Sequence, residues 1–319
     1  MTTALPRYAM LLLLAAMVLT FSLLRPETFA TVANVRTIFL ESSVLAILAM
    51  AAMVPLIAKD FDLSIASVLG FVSLLAVGLP TRQELPVPVA LVACLAVGVV
   101  IGLVHALLIV RWELPSVVVT LGTGTILTGL SLWYSGGTVI YEGVPEQLTR
   151  LGNAEVLGIR LPVFYMAAVA LILWFVLEKR PWGRYLYATG ASEITARLAG
   201  VDTAKARAAA LVVASSLAAL AGIVLSARLG SGSPTIANDF FLPAFAGAFL
   251  SIAAFKLGFF NPLGVICAVY LLATGVNGLS MLGAPAWVEH VFNGLALVVA
   301  VGLAHVSSGT ARTMHKGRN

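Results

Sequence analysis

Apolar stretches that are candidate membrane spans follow one another along nearly the whole chain, and this constrains the fold more than any motif does. They run over 8–24, 43–58, 64–80, 86–110, 116–134, 161–178, 207–227, 239–257, 261–280 and 286–305. A helix needs roughly 20 residues to cross the hydrocarbon layer, and only helices or closed barrels satisfy every backbone group there. Hydrophobic residues make up 60% of the chain, charged residues 10%, and the mean hydropathy is +1.02. Soluble domains are nearer half apolar and a quarter charged. The expectation is all-α: a polytopic membrane helix bundle of about ten transmembrane helices, forming one domain over residues 1–319.

Two stretches need separate judgement. Tyr8 to Leu24, behind Arg7, competes with a signal peptide. More apolar stretches follow it rather than a soluble domain, so it reads as a span. The 43–58 and 64–80 pair is short and is broken by Lys59-Asp60-Phe61-Asp62. It reads as kinked or partly re-entrant, an arrangement tolerated only against protein or water.

The net charge of +5 comes from basic residues spread along the chain, which speaks against a nucleic-acid surface and makes their sidedness informative. With the N-terminus inside, the cytoplasmic segments hold Arg7, Lys59, Arg111, the cations of 178–207, Lys256, Arg312, Lys316 and Arg318. That is roughly two-thirds of the 19 Lys and Arg, and the positive-inside rule therefore places both termini in the cytoplasm. On the outer side the longest connection, Ser135 to Arg160, carries Gly136-Gly137, Pro145, Glu142, Glu146 and Glu155, and a second is Gly230-Ser231-Gly232-Ser233-Pro234. These read as connections or as a rim for an external partner. Cys94 and Cys267 sit inside apolar stretches without a Cys or His at ligand spacing. They read as small core hydrophobes, with no disulfide and no metal site.

The longest polar interruption runs from Glu178 to Arg207, and the loop 179–206 within it is cytoplasmic on this orientation. Ser192 is a good N-cap with Glu193 at the positive end of the helix that follows. Ile194, Leu198 and Val201 recur at i, i+4 and i+7, Ala196 and Arg197 lie between them, and Gly200 ends the run. A helix of about two turns results, too short to be stable alone. It packs on its own bundle or docks an apolar ridge into a partner's groove.

Inside the spans, Gly98-x-x-x-Gly102 and Ala218-x-x-x-Gly222 offer small faces for close helix packing. Thr120, Thr123, Gly124, Thr128 and Ser131 share one helix face, an arc of roughly 140° at about 100° per residue. Such hydroxyls bond their own preceding turn or a neighbouring helix, or they wall a polar path for a hydrogen-bonding solute. His105 is the clear ionisable residue deep in a span, and no acidic partner for it is evident in the sequence. Asp60 and Asp62 lie at a span end, and midplane carboxylates of the kind that serve ion- or proton-driven carriers are absent.

Five segments, taken in order, resemble the ribose-type permease subunits of bacterial ABC importers. Asp62-Leu63-Ser64-Ile65-Ala66-Ser67 is similar to that family's D-L-S-x-G-S segment, with Ala66 in place of the usual glycine. Leu114 to Thr123 resembles its P-x-x-I-V-T-L-G-T run, followed by the turn Ser135-Gly136-Gly137. Gly183-Arg184 through Ala188-Thr189-Gly190 and Ala196-Arg197-Leu198-Ala199-Gly200-Val201 resemble its cytoplasmic loop, with Ser192 where asparagine is usual. Ala218-x-x-x-Gly222 and Asn277-Gly278-Leu279 also match. The paired glycines usual after the eighth span are largely missing from Ala246–Gly264, which bears on the solute more than on the architecture.

The resemblance implies a permease subunit in the bacterial inner membrane, moving a sugar or related polyhydroxylated solute by alternating access. It implies a second permease subunit, identical or not, and a periplasmic solute-binding protein on the outer rim. Cytoplasmic ATP-binding subunits would dock on Ser192, Glu193, Ile194, Ala196, Arg197, Leu198, Gly200 and Val201. The path would involve Ser64, Thr120, Thr123, Thr128, Ser131 and Asn277. No lysine follows a glycine in the manner of a phosphate-cradling G-x-x-x-x-G-K-[ST] loop, so ATP and Mg are expected on a partner and no cofactor on this chain. Three other classes compete. An ABC permease for branched-chain amino acids would need partners for an ammonium and a carboxylate. An ion-coupled secondary transporter would need midplane carboxylates. A membrane enzyme would need a His/Asp/Glu cluster at acid–base or metal spacing.

Overall fold

A computed structural model describes residues 4–316, and Arg318, counted above among the cytoplasmic cations, lies outside the described residues. The fold is nearly all helical. Among the described residues seven helices are long and apolar enough to cross a membrane, and Tyr8–Leu24, Ala237–Ala253 and Trp287–Val299 are shorter apolar helices. The protein is a multi-pass membrane protein on this count. The chain divides into two compact units, Ser43–Phe241 and the segments on either side of it.

In chain order the helices are α1 (Ala4–Leu24), α2 (Val32–Ile57), α3 (Ile65–Arg82), α4 (Val87–His105) and α5 (Ser116–Ser135). Between α4 and α5 the winding loosens to a π-helical turn, Ala106–Arg111. Then come α6 (Glu146–Asn153), a two-stranded hairpin of β1 (Glu155–Val156) and β2 (Ile159–Arg160), α7 (Leu161–Lys179), α8 (Pro181–Ala191) and α9 (Glu193–Leu198). The chain closes with α10 (Thr203–Leu229), α11 (Ala237–Leu250), α12 (Pro262–Met281) and α13 (Trp287–Lys316). Local chemistry sets most ends. Pro115 precedes α5 and Gly136 ends it at φ +68. Asp202 caps α10, and Gly230 ends it at φ +62.

In the larger unit α10 is the central helix, packed on α3 and α4. The close approach rests on glycine. A Cβ on Gly222 would sit 2.4 Å from the Leu69 carbonyl oxygen of α3, and one on Gly102 would sit 2.5 Å from Cα of Val212. The sequence motifs Gly98-x-x-x-Gly102 and Ala218-x-x-x-Gly222 therefore serve backbone contact, worth dispersion energy where lipid supplies no hydrophobic drive. The outer faces of α4, α5 and α7 remain apolar and exposed, with Val92, Val118, Ile126 and Leu171 among them.

The smaller unit packs α1 on α12 and α12 on α13, around Met10, Leu250, Cys267 and Leu271. Asn261 stands where the segment after α11 turns into α12. Its Nδ2 donates to the carbonyls of Ser251 and Ala254 at 2.9 and 3.0 Å, and its Oδ1 accepts the Gly264 N–H at 2.7 Å. This side chain holds the 246–264 segment together where paired glycines were missing.

Two expectations are corrected. The stretch 43–58 is not short: it is the inner part of the 26-residue α2, which begins at Val32. Arg36 and Glu41 interrupt the apolar count, but they lie on an exposed side of the same helix. The break itself is real. Lys59 adopts φ 65, ending α2 before Asp60, and α3 starts at Ile65. In the central loop the structure has two helices rather than one. A Cβ on Gly190 of α8 would fall 1.8 Å from the Ile57 carbonyl oxygen, so α8 lies directly against the end of α2.

Candidate coupling face and buried polar junction

The short helix α9 forms as its residue types dictate. Ser192 Oγ accepts the Thr195 N–H at 3.3 Å, Glu193 pairs with Arg197 at 2.6 Å, and Gly200 at φ +83 closes it. It is shorter than the two turns expected. Ala196 is buried, whereas Ile194 and Leu198 are 76% and 86% exposed. Val201 lies beyond the helix and is half-buried. The anticipated stripe of Ile194, Leu198 and Val201 is therefore cut to two: Ile194 and Leu198 form an exposed apolar ridge, Val201 falls beyond the helix, and Ala196 between them faces the bundle. Leaving two such side chains in water costs about 1.5–3 kcal/mol each relative to full burial.

Behind α9 lies a hollow of about 520 Å³ lined by Asp60, Ile109, Glu113, Glu193, Arg197 and Arg207. Apart from Glu113, its charges are paired. Arg207 Nε and Nη2 donate to the two carboxylate oxygens of Asp60, each at 2.8 Å, and Arg207 Nη1 lies 3.7 Å from Glu193 Oε1. Arg197 Nε donates to Thr203 Oγ1 at 2.9 Å. Asp60 and Arg207 were not among the sequence candidates, because they are 147 residues apart. The only signal for either was a charge at the end of an apolar stretch.

Deeper in the same unit a polar cluster gathers around the α2–α3 break. Ser64 N–H and Oγ donate to Asp62 Oδ1 at 3.1 and 2.6 Å. Asp62 Oδ2 faces His105 Nδ1 at 3.6 Å, with both side chains fully buried. His105 Nε2 lies 3.1 Å from Thr123 Oγ1. The expectation that His105 has no acidic partner is thereby corrected: packing of α4 against the break supplies Asp62. Thr120 Oγ1 accepts the Leu63 N–H at 3.0 Å, so α5 holds the irregular backbone of the break in place.

The hydroxyl face of α5 is therefore used unevenly. Thr120, Thr123, Thr128 and Ser131 each donate to a carbonyl of their own preceding turn. Thr120 and Thr123 also join the buried cluster with Ser64. Ser131 is buried. Thr128 lines a second hollow of about 470 Å³ with Ser67, Leu121, Thr125, Asn238 and Phe241. Asn277 lies in the other unit, on α12, with its Oδ1 buried and unpartnered among the described residues.

The model of a family described as branched-chain amino acid transport system / permease component matches residues 34–301. The ribose import permease protein of Escherichia coli is 30% identical over 91% of this chain and 90% of its own length. The D-allose transport system permease protein of the same organism is 29% identical over 95% and 92%. An autoinducer 2 import system permease protein of Salmonella paratyphi B is 30% identical over 85% and 78%. No solved structure matches the chain. With most of its length matched, the chain belongs to the branched-chain amino acid transport system / permease component family.

Proposed function

We infer that this protein is the membrane-spanning permease subunit of an ABC importer for a sugar or related polyhydroxylated solute, working by alternating access in the bacterial inner membrane. The exposed ridge of Ile194 and Leu198 on a capped, ion-paired helix carries this reading. It is the surface on which cytoplasmic ATP-binding subunits dock, and those subunits hold the ATP and Mg. A second permease subunit, identical or different, completes the path, and a periplasmic binding protein delivers solute to the outer rim. The seven long helices and three shorter apolar ones together make ten crossings with both termini in the cytoplasm.

The hollow at Thr128 supports a neutral solute. Its polar side chains are Ser67, Thr125, Thr128 and Asn238, and none is charged. A hydroxyl-rich solute finds donors and acceptors there, whereas an amino acid zwitterion finds no countercharge. This favours the solutes named for the ribose and allose relatives over those in the family's description.

The test places single cysteines at Ile194 and Leu198 in a chain lacking Cys94 and Cys267, in membranes that also contain the ATP-binding subunits. Crosslinks whose yield changes with ATP are the expected result. Well-expressed cysteines that find no partner with or without nucleotide, together with uptake that follows an ion gradient, would establish the secondary-transporter alternative instead.

A further inference from the structure

We propose that the Arg207–Asp60 ion pair is the joint through which movement of α9 reaches the α2–α3 break and the hydroxyl face of α5. Asp60 and Arg207 would then be positioning residues for transport. The inference rests on the reading that α9 receives the ATP-binding subunit.

The connections are continuous and lie within one compact unit. Glu193, the first residue of α9, gathers on a single oxygen the guanidinium of Arg197 at 2.6 Å, the Thr203 hydroxyl at 3.3 Å and Arg207 Nη1 at 3.7 Å. Arg207 turns its other two nitrogens on Asp60, which is 5% exposed. A side-on guanidinium–carboxylate pair fixes both distance and angle. Asp60 belongs to the irregular backbone before α3, and that backbone is tied to α5. The Phe61 N–H donates to Ser116 Oγ at 3.2 Å and the Leu63 N–H to Thr120 Oγ1 at 3.0 Å. Two turns further along α5, Thr128 lines the candidate solute hollow.

The chemistry of the joint also speaks for a mechanical role. A largely buried ion pair is weak in net stability compared with apolar packing of the same volume, because desolvation offsets the Coulomb gain. What it supplies is a directional link that does not slide as packed methyl groups do. The hollow of about 520 Å³ beside it leaves room for α9 to shift. Lys59 at φ 65 and Glu113 at φ 56 bracket the moving parts with strained backbone, the kind of position that absorbs changes in φ and ψ. The route differs from one confined to the flanking helices α7 and α10, since it enters the bundle at the break.

The experiment uses the whole transporter, with its ATP-binding subunits, in vesicles, so that no solute need be known. Three readouts are taken: crosslinking of Leu198→Cys to the ATP-binding subunit, ATP hydrolysis, and labelling of Thr128→Cys by a hydrophilic maleimide with and without ATP. In Asp60→Asn and Arg207→Gln the crosslink and hydrolysis persist, while the ATP-dependent change in labelling falls about tenfold, within the range of coupling between linked sites. The charge-exchanged chain, Asp60→Arg with Arg207→Asp, regains part of the change. An unaltered labelling response in the single variants overturns the proposal, as does joint loss of crosslinking and hydrolysis, which marks a structural role. If either neutral variant fails to reach the membrane, Arg207→Lys decides: it keeps the charge, loses the side-on geometry and is expected to weaken the response. Absence of the Leu198→Cys crosslink in the otherwise unaltered chain would instead overturn the docking reading itself.

Discussion

His105 and Asp62 face one another at 3.6 Å with neither side chain exposed, the histidine at the last α-helical turn of α4 and the aspartate in the break before α3. Neither facing atom makes a hydrogen bond among the described residues, while the other carboxylate oxygen is taken by Ser64 and the other ring nitrogen by Thr123. Four side chains from three segments thus share one buried cluster. A group stranded there loses its partner without gaining water.

Asp62→Ala leaves the Ser64 N–H and hydroxyl without their acceptor, and the expected loss is about 1–3 kcal/mol for each group left unsatisfied. Asp62→Asn keeps an acceptor for Ser64 and should cost less. Thermal unfolding of the detergent-solubilised chain ranks the two. Equal midpoints for Asp62→Ala and the unaltered chain would mean the cluster does not hold the break.

Substitution at the helix contacts should be sharply position-dependent. Gly222→Ala drives a methyl group toward the Leu69 carbonyl oxygen, so α3 and α10 must separate, at a cost of about 1–3 kcal/mol typical of overpacking. Gly122→Ala on α5 meets nothing within 4 Å and is expected to be neutral or to stabilise by up to about 1 kcal/mol. Melting temperatures of the two variants in one detergent make the comparison, and a drop at Gly122→Ala as large as at Gly222→Ala would contradict it.

Asn261→Ala removes an N-cap and two donors to buried carbonyls at once. The expected loss is about 1–3 kcal/mol, and Asn261→Asp should not rescue it, because a carboxylate would face the Ser251 and Ala254 carbonyls. Limited proteolysis between α11 and α12 should rise in both variants. Protection equal to that of the unaltered chain would show that the 246–264 segment is held by other contacts.

At the start of α10 the carboxyl of Asp202 is held below the usual carboxylate range, first by the Lys205 backbone N–H at 3.0 Å and then by the Lys205 ammonium, also at 3.0 Å. A lowered folded value means the cap contributes fully above the unfolded value and is lost as pH falls through the lower folded one. The first turn of α10 should therefore keep its amide protection at neutral and mildly acid pH. It should lose that protection only below the ordinary aspartate range, once normalised for intrinsic exchange. Asp202→Ala should abolish this step.

Much of the fold was legible from residue types because helix ends are decided within a few residues. Pro115 and Gly136 bound α5, Ser192 starts α9, and Gly200 closes it, each by chemistry that reaches no further than the next turn. Where legibility failed, a longer reach was needed. The extent of α2 was misjudged because Arg36 and Glu41 broke an apolar count, though they lie on an exposed side of a continuous helix. The role of Thr120 and Thr123 was ambiguous because a hydroxyl on a helix face bonds its own turn in either case, and only its second partner distinguishes the two.

By itself the sequence determined that this chain lives in a membrane, where helices bounded by local caps such as α5 and α9 begin or end, and that a short helix follows Ser192. Burial of backbone polar groups in lipid and local capping leave little choice on those points. Tertiary structure alone decided that Arg207 meets Asp60, that His105 meets Asp62, and that Ala196 turns inward while Ile194 and Leu198 turn out. Helices that are apolar on all sides carry no stripe to say which face meets which neighbour. Their rotation is settled by close contacts such as Gly222 on Leu69, and the charged residues at their ends find partners only once those contacts are made.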